Sequence, residues 1–320
     1  MYYLGVDGGG TKTKFSLTNE YGEIICEVNK PTSHYLQVGL DGLTNILNEG
    51  IDDICKEAKI TRDDIASSFI GAPGFGDIKA DEERILDAVK KAFKNMKHAV
   101  GNDGQNALAG GLKGEDGINI VAGTGSIGFG HNSLNNKTLS CGGWHHAIGS
   151  DEGSGYWISN KVLHEFTRQS DGRDNKTTLY YKLKEYLDIK EDGDIISIVV
   201  DKWNLDRTKM ASFCKFTANL YKENDPYAIK FIKDAAYELA DIIKTLYIKL
   251  EFKGKVKVSY TGGVFNMGDI ILNHLKSNLD ESKFELVAPS LSPDKGSLIL
   301  ALQNDGKEIT QTIIDNLNKK

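Results

Sequence analysis

A chain of 320 residues can bury a large core and sits at the size where chains usually divide into two domains. Its composition, 40% hydrophobic and 26% charged, is that of a globular chain and sets disorder aside. A net charge of −6 with no polybasic block argues against nucleic acid as a partner, and no apolar run is long enough to span a membrane.

The run Tyr2 to Val6 predicts a buried strand that delivers Asp7 and the glycines Gly8, Gly9 and Gly10 into a tight bend. Because Asp7 and the glycines break that run, the amino terminus does not read as a signal peptide. Phe15 to Thr18 alternates apolar and polar, so a second strand leaves the bend. Backbone amides freed of side chains, then the hydroxyls of Thr11 and Thr13 and the ammonium of Lys12, suit a polyphosphate. The Asp7 carboxylate suits the magnesium ion that travels with it. No Walker A loop is present, since Thr11 separates the last glycine from Lys12. Thr13 stands where a dinucleotide fingerprint needs its third glycine. By itself the segment reads equally as a phosphate loop or as a glycine-rich hairpin turn.

A third strand follows from Ile24 to Val28, then a helix carrying Leu43, Ile46, Leu47, Ile51 and Ile54. Ile65 to Ile70 is a strand ending in Gly71-Ala72-Pro73-Gly74, and a second helix covers about Asp81 to Phe93. Ala99-Val100 leads into Gly101-Asn102-Asp103-Gly104 and a short alanine-rich helix. After Gly114 to Gly117 the pattern restarts with a strand from Ile118 to Val121, the loop Gly123-Thr124-Gly125-Ser126, and a departing strand from Ile127. Tyr156 to about Tyr247 is helical. Its spaced residues Trp157, Ile158, Val162, Phe166, Ala235, Leu239, Ile242, Ile243 and Leu246 predict core and not ligand contacts. Val256 to Tyr260 is a strand ending in Thr261-Gly262-Gly263-Val264, and Gly306 to Lys320 predicts an amphipathic last helix. Cys26, Cys55, Cys141 and Cys214 are widely separated and read as free thiols of a reducing, cytoplasmic compartment.

The expected class is therefore α/β with one plan used twice: three meandering strands, a helix, a further strand, a helix. The expected domains are residues 1–117 and 118–299, with a tail of about 300–320 packing back on the first. Their two small-residue loops are expected to face one another across a cleft.

Asp-Gly-Gly-Gly-Thr-Lys-Thr at 7–13, Asn102-Asp103-Gly104, Gly-Thr-Gly-Ser at 123–126 and Thr-Gly-Gly-Val at 261–264 together resemble the actin and hexokinase superfamily. Within it, the chain is similar over essentially its whole length to the BadF/BadG/BcrA/BcrD ATPase family and its N-acetylglucosamine kinases. The most specific blocks are Cys141 to His146 and Gly149 to Ile158; His145 stands where relatives usually have a glycine. The resemblance implies duplicated ribonuclease H-like, actin-like ATPase domains. It also implies an ATP- and magnesium-dependent kinase of the 6-hydroxyl of an N-acetylated amino sugar, N-acetylglucosamine or N-acetylmuramic acid, in amino-sugar and cell-wall sugar salvage.

The resemblance makes Asp103 the base that takes the proton of the attacking hydroxyl, where the residues alone read it as a turn or helix-cap residue. It makes Asp7 the magnesium ligand, directly or through water. Gly9, Gly10, Thr11, Lys12 and Thr13 would cradle the β- and γ-phosphates, with Gly123, Gly125 and Ser126 as the opposing hairpin. Gly262 and Gly263 would let adenine lie on backbone, or else simply begin a helix before Asn266. Gly296 resembles a second interdomain connection, a hinge. The sugar is expected at Ser33, His34, Asp103, Thr124, Gly143, Trp144 and Asp151. The plain alternatives are core packing for Trp144 and an N-cap for Asp151. Ser33 stands where the family usually has Asn, and its shorter side chain leaves room for a lactyl group. The rival readings are a glucosamine kinase, an ATPase activator of a dehydratase, against which the isolated cysteines argue, and a non-catalytic sugar sensor. The expected partner is a small-molecule sugar, with a homodimer as the one protein assembly considered.

Overall fold

The computed structural model describes residues 1–319, and its contacts divide the chain into two compact units. Met1–Asn119 and the segment from Ala288 onward form the first; Ile120–Val287 forms the second. Residues 288–299, expected in the second repeat, thus pack with the first unit.

The first unit begins with β1 (Tyr2–Gly8), β2 (Lys12–Asn19), β3 (Ile24–Pro31) and α1 (Tyr35–Ala58). It continues with β4 (Ile65–Ala72), α2 (Glu82–Phe93), β5 (His98–Asn102) and α3 (Asp103–Leu112). The chain passes into the second unit within β6 (Gly117–Ala122) and continues with β7 (Ser126–Asn132), β8 (Lys137–Gly142), α4 (Gly155–Ser170), α5 (Thr178–Leu187), α6 (Asp194–Ser197) and α7 (Arg207–Ser212). Then come α8 (Cys214–Lys222), α9 (Pro226–Lys249), β9 (Val256–Thr261), α10 (Asp269–Ser277) and β10 (Phe284–Leu286). The chain closes with α11 (Pro293–Asn304) and α12 (Gln311–Leu317), the latter shorter than the expected last helix.

The sheet orders are β3-β2-β1-β4-β5 and β10-β9-β6-β7-β8, which is one topology used twice. In the first, β1 and β2 are antiparallel, as are β2 and β3, whereas β1, β4 and β5 run parallel. Strand alternation sorts the side chains onto two faces. Leu4, Val6, Phe15 and Leu17 join Leu47, Ile51 and Val89 of α1 and α2 on one face; Tyr3 joins Leu298, Ile299 and Leu302 of α11 on the other. Asp7 pairs with Lys14 and Gly8 with Thr13, so Asp7 and Lys14 share the α11 face while Thr13 turns into the α1 face.

Helix α11 approaches that face closely. A Cβ on Gly5 of β1 would sit 2.2 Å from Ser297 Oγ, and one on Gly296 would sit 1.9 Å from the Asn106 carbonyl oxygen of α3. Gly296 is therefore the contact point of two helices inside one unit. The boundary between the units falls at Val287–Ala288, so the connection expected at Gly296 lies earlier in the chain. Helix α1 does bend, at Gly39 (φ 72°, ψ 172°), so Tyr35–Val38 form a separate turn ahead of the long helix.

In the second unit α9 lies on β7 and β8, its Ile242 and Leu246 filling the space that a Cβ on Gly128 would need. Asp225 caps α9, accepting from the amides of Tyr227 and Ala228, with Pro226 in the first turn. Helices α4, α5 and α8 enclose a core of Val162, Phe166, Leu179, Leu183 and Phe216. Ile158, Val162, Phe166, Ala235, Leu239, Ile243 and Leu246 are buried as their spacing required.

Gly296→Ala forces backbone apart at the α3–α11 contact and is expected to cost about 1–3 kcal/mol of stability. Urea unfolding checks this; a midpoint equal to that of the parent would show that the contact has slack.

Candidate functional site

The first unit places its polar groups where β1, β4 and β5 end, the side of a parallel sheet on which ligands bind. Asp7 ends β1, and Asn102 and Asp103 end β5. Asn106 Nδ2 donates to Asp7 Oδ1 (2.8 Å) and to the Val6 carbonyl (3.2 Å). Burial still pushes the Asp7 carboxyl up to about 6, outweighing that hydrogen bond. Asn102 caps α3, accepting from Gly104 N at 2.9 Å, and its amide donates to the Phe75 carbonyl at 2.8 Å. Asp103 is thus the first helical residue and not the cap. Burial holds its carboxyl up at about 7, reinforced by the charges of Asp7 and Asp77 and opposed by the amides of Gly104 and Asp103 itself.

Between β1 and β2 the Gly9 amide donates to the Lys12 carbonyl at 2.9 Å and closes a turn that exposes Gly10, Thr11 and Lys12. Thr13 does not join them: it is fully buried on the α1 face and its hydroxyl has no partner. Lys14 is held by Asp294 (2.7 Å) and Glu27 (2.9 Å). Ser33 is also sealed in, its hydroxyl lying where a Gly8 side chain would be, so the expected open space at that position is absent. His34 caps α1 through Nδ1, which accepts from Leu36 N (3.3 Å), and burial lowers its pKa.

The second unit contains a cavity of about 530 Å³. Gly123 and Thr124 form one wall, Gly263 and Asn266 another, and Ala211 and Asn219 close it from α7 and α8. The loop is pinned by the Gly155 amide, which donates to the Gly123 carbonyl (2.8 Å). Asp151 is 4% exposed, accepts from Ser126 N (3.1 Å) through Oδ1, and pairs with Arg207 through Oδ2. It is neither a free carboxylate nor the α4 cap, which is Ser154, accepting from Trp157 N at 3.1 Å. The Ser126 hydroxyl is occupied too, donating to the Glu152 carbonyl (2.6 Å). Gly125 leaves room for this pair, since its Cβ would lie 2.5 Å from Arg207 Nη2. Gly262 (φ 109°) lies against the Ala122 carbonyl, and a 3₁₀ turn over Gly263–Met267 follows. Trp144 follows Gly143 (φ 75°) in the loop after β8 and is 73% exposed, so it is not core.

The structure therefore groups Asp7, Gly9, Gly10, Thr11, Lys12, His34 and Asp103 in one unit, and Gly123, Thr124 and Gly263 around the cavity of the other. Sequence reasoning missed Asn106, Arg207 and the cavity-lining faces of α7 and α8. No motif marks them; only an Asn on the face of α3 that meets β1 could have signalled the first.

The family model described as the BadF/BadG/BcrA/BcrD ATPase family matches residues 4–301. An N-acetylmuramic acid/N-acetylglucosamine kinase of Clostridium acetobutylicum is 29% identical over 303 residues, covering 94% of this chain and 98% of that one. An N-acetyl-D-glucosamine kinase of Dictyostelium discoideum is 29% identical over 314 residues, with coverage of 94% and 98%. A solved structure from Chromobacterium violaceum, described as a candidate N-acetylglucosamine kinase, superposes with a TM-score of 0.70 at 21% identity, covering 94% and 98% of the two chains. That likeness shows the fold, the two-unit α/β architecture read from the sequence.

The raised Asp103 carboxyl has a stability consequence. From its ordinary value of 3.8 to about 7, the folded chain keeps a proton that the unfolded chain releases, so stability falls as pH rises through that window. Asp103→Asn removes the penalty: it is expected to stabilise the fold by about 1–3 kcal/mol at pH 8 and by almost nothing at pH 3.5. Thermal melting at the two pH values checks this, and an equal or lower Tm than the parent at pH 8 would contradict it.

Proposed function

Because the chain belongs to the BadF/BadG/BcrA/BcrD ATPase family, we propose that it is an ATP-dependent kinase that phosphorylates the 6-hydroxyl of an N-acetylated amino sugar. The observation that carries this reading is Asp103, a carboxyl poised at about 7 at the end of β5 beside Asp7. A general base works best with a pKa near the working pH. The full-length similarity to two curated amino-sugar kinases supports the same substrate class.

In this reading the cavity beside Gly123, Thr124 and Gly263 takes adenine and ribose; its volume is in the range of small-molecule sites. The exposed amides of Gly10 and Thr11, with Lys12, hold the β- and γ-phosphates. Asp7, and the buried Asn106 Oδ1 that lacks a partner beside it, are oxygen ligands that fit magnesium, which when bound neutralises phosphate charge. Asp103 accepts the proton of the 6-hydroxyl as that oxygen attacks the γ-phosphorus, and ADP leaves. The exposed face of Trp144 offers an apolar surface for the sugar or its N-acetyl group.

ADP release is expected to be at least about tenfold faster with N-acetylglucosamine or N-acetylmuramic acid than with glucose; no amino sugar exceeding water would overturn the reading. Asp103→Asn should lower kcat by about 10²–10⁴-fold. In the parent, kcat/KM should fall about tenfold per pH unit below about 7, as the base takes up its proton. Trp144→Ala should raise the sugar KM several-fold and leave both the ATP KM and the Tm of the exposed loop's unit unchanged, which steady-state kinetics and melting distinguish.

A further inference from the structure

Two carbonyls of the glycine turn are tied to the segment between β3 and α1. Thr32 Oγ1 donates to the Gly9 carbonyl at 2.7 Å, and Gln37 Nε2 donates to the Gly10 carbonyl at 3.2 Å. The same Thr32 hydroxyl accepts from the His34 amide at 3.1 Å, so one oxygen bridges the turn and the residue that caps α1. Gln37 belongs to the short turn that Gly39 separates from the rest of α1.

These contacts decide where the amides point. In a trans peptide the N–H is directed opposite to the carbonyl of the preceding residue. With the Gly9 and Gly10 carbonyls turned toward Thr32 and Gln37, the amides of Gly10 and Thr11 are turned the other way, side by side. Residues 10–12 are exposed. Adjacent amides facing one way form an anion-binding concavity. Gly10 has no neighbour within reach of a Cβ, so side-chain packing does not fix the orientation of its peptide; these hydrogen bonds and the Gly9–Lys12 turn bond do. Glycine turns lacking such ties sample many conformations, and ordering one on binding costs affinity.

We propose that Thr32 is a positioning residue that pre-orients the Gly10 and Thr11 amides toward the terminal phosphates, and that its bond to His34 couples this orientation to the acceptor segment. The coupling rests on the kinase reading above; the orientation of the amides does not.

The test uses the full chain with three variants and two probes: a non-hydrolysable ATP analogue and AMP, both titrated without sugar. Thr32→Val keeps the shape and loses the donor. It should weaken the analogue about threefold to tenfold, the size of one lost hydrogen bond, and leave AMP unchanged. Thr32→Ser keeps the hydroxyl and should stay within about twofold of the parent, whereas Gln37→Ala should resemble Thr32→Val. Parent-like binding of the analogue by Thr32→Val overturns the proposal. So does an equal loss for AMP, which would mark a general structural defect, or a Thr32→Ser as impaired as Thr32→Val. Repeating the analogue titration with N-acetylglucosamine tests the coupling: the sugar should tighten the analogue in the parent and in Thr32→Ser but not in Thr32→Val. A parent that ignores every amino sugar defeats the kinase reading and the coupling, while the sugar-free titrations still judge the amide orientation.

Discussion

The close approach of α11 to β1 and α3 is the constraint on which the first unit's site depends. Gly5, Gly110 and Gly296 leave no room for a Cβ at this contact, so backbone meets backbone there. That proximity fixes α3, and α3 carries Asn106 to within hydrogen-bonding distance of both Val6 and Asp7. Gly71 of β4 makes space for the same amide, 2.1 Å from where its own Cβ would be. A conserved helix face is not needed to explain this arrangement; a set of missing side chains suffices. The chain spends packing freedom to hold one carboxylate.

Electrostatics then runs against stability at the same place. Asp7 and Asp103 are both pushed upward by burial, and the charge of Asp7 raises Asp103 further. A site that binds a cation and accepts a proton requires such carboxylates to be underpaired. Lys14, on the same face as Asp7, is tied to Asp294 and Glu27, and its charge offsets the burial of Asp7 only in part. Destabilising charge is therefore concentrated at the ends of β1 and β5, the pattern expected of a functional site.

The two small-residue loops, alike in sequence, are stabilised by different means. The turn at Gly8 to Lys12 is held through its carbonyls by Thr32 and Gln37 and by the Gly9 amide, which donates to the Lys12 carbonyl. The loop at Gly123 to Ser126 is held through its own amide and hydroxyl by Asp151 and Glu152, with Arg207 locking the carboxylate. A buried ion pair of this sort is costly to break on one side only. The first loop is built to present donors, and the second to form a rigid wall of the cavity.

The sequence by itself determined the repeat, the strand ends and the chemistry-bearing turns. Period-two and period-3.6 patterns and glycine punctuation are local, and they report on residues a few positions apart. It marked Asp7 because a carboxylate at a strand end before a glycine turn is a local signal as well, whereas Asp103 and Trp144 stood out only through the resemblance of their motifs to a family. Only the tertiary structure decided which hydroxyls and carboxylates face outward. Thr13 and Ser33 look like ligands in one dimension, but strand alternation and packing against Gly8 bury them. Asp151 looks free until Arg207, 56 residues away, closes on it. Asn106 and the cavity walls of α7 and α8 were invisible for the same reason: their roles arise from helix faces meeting a sheet or a loop far along the chain, and no local pattern encodes such a meeting.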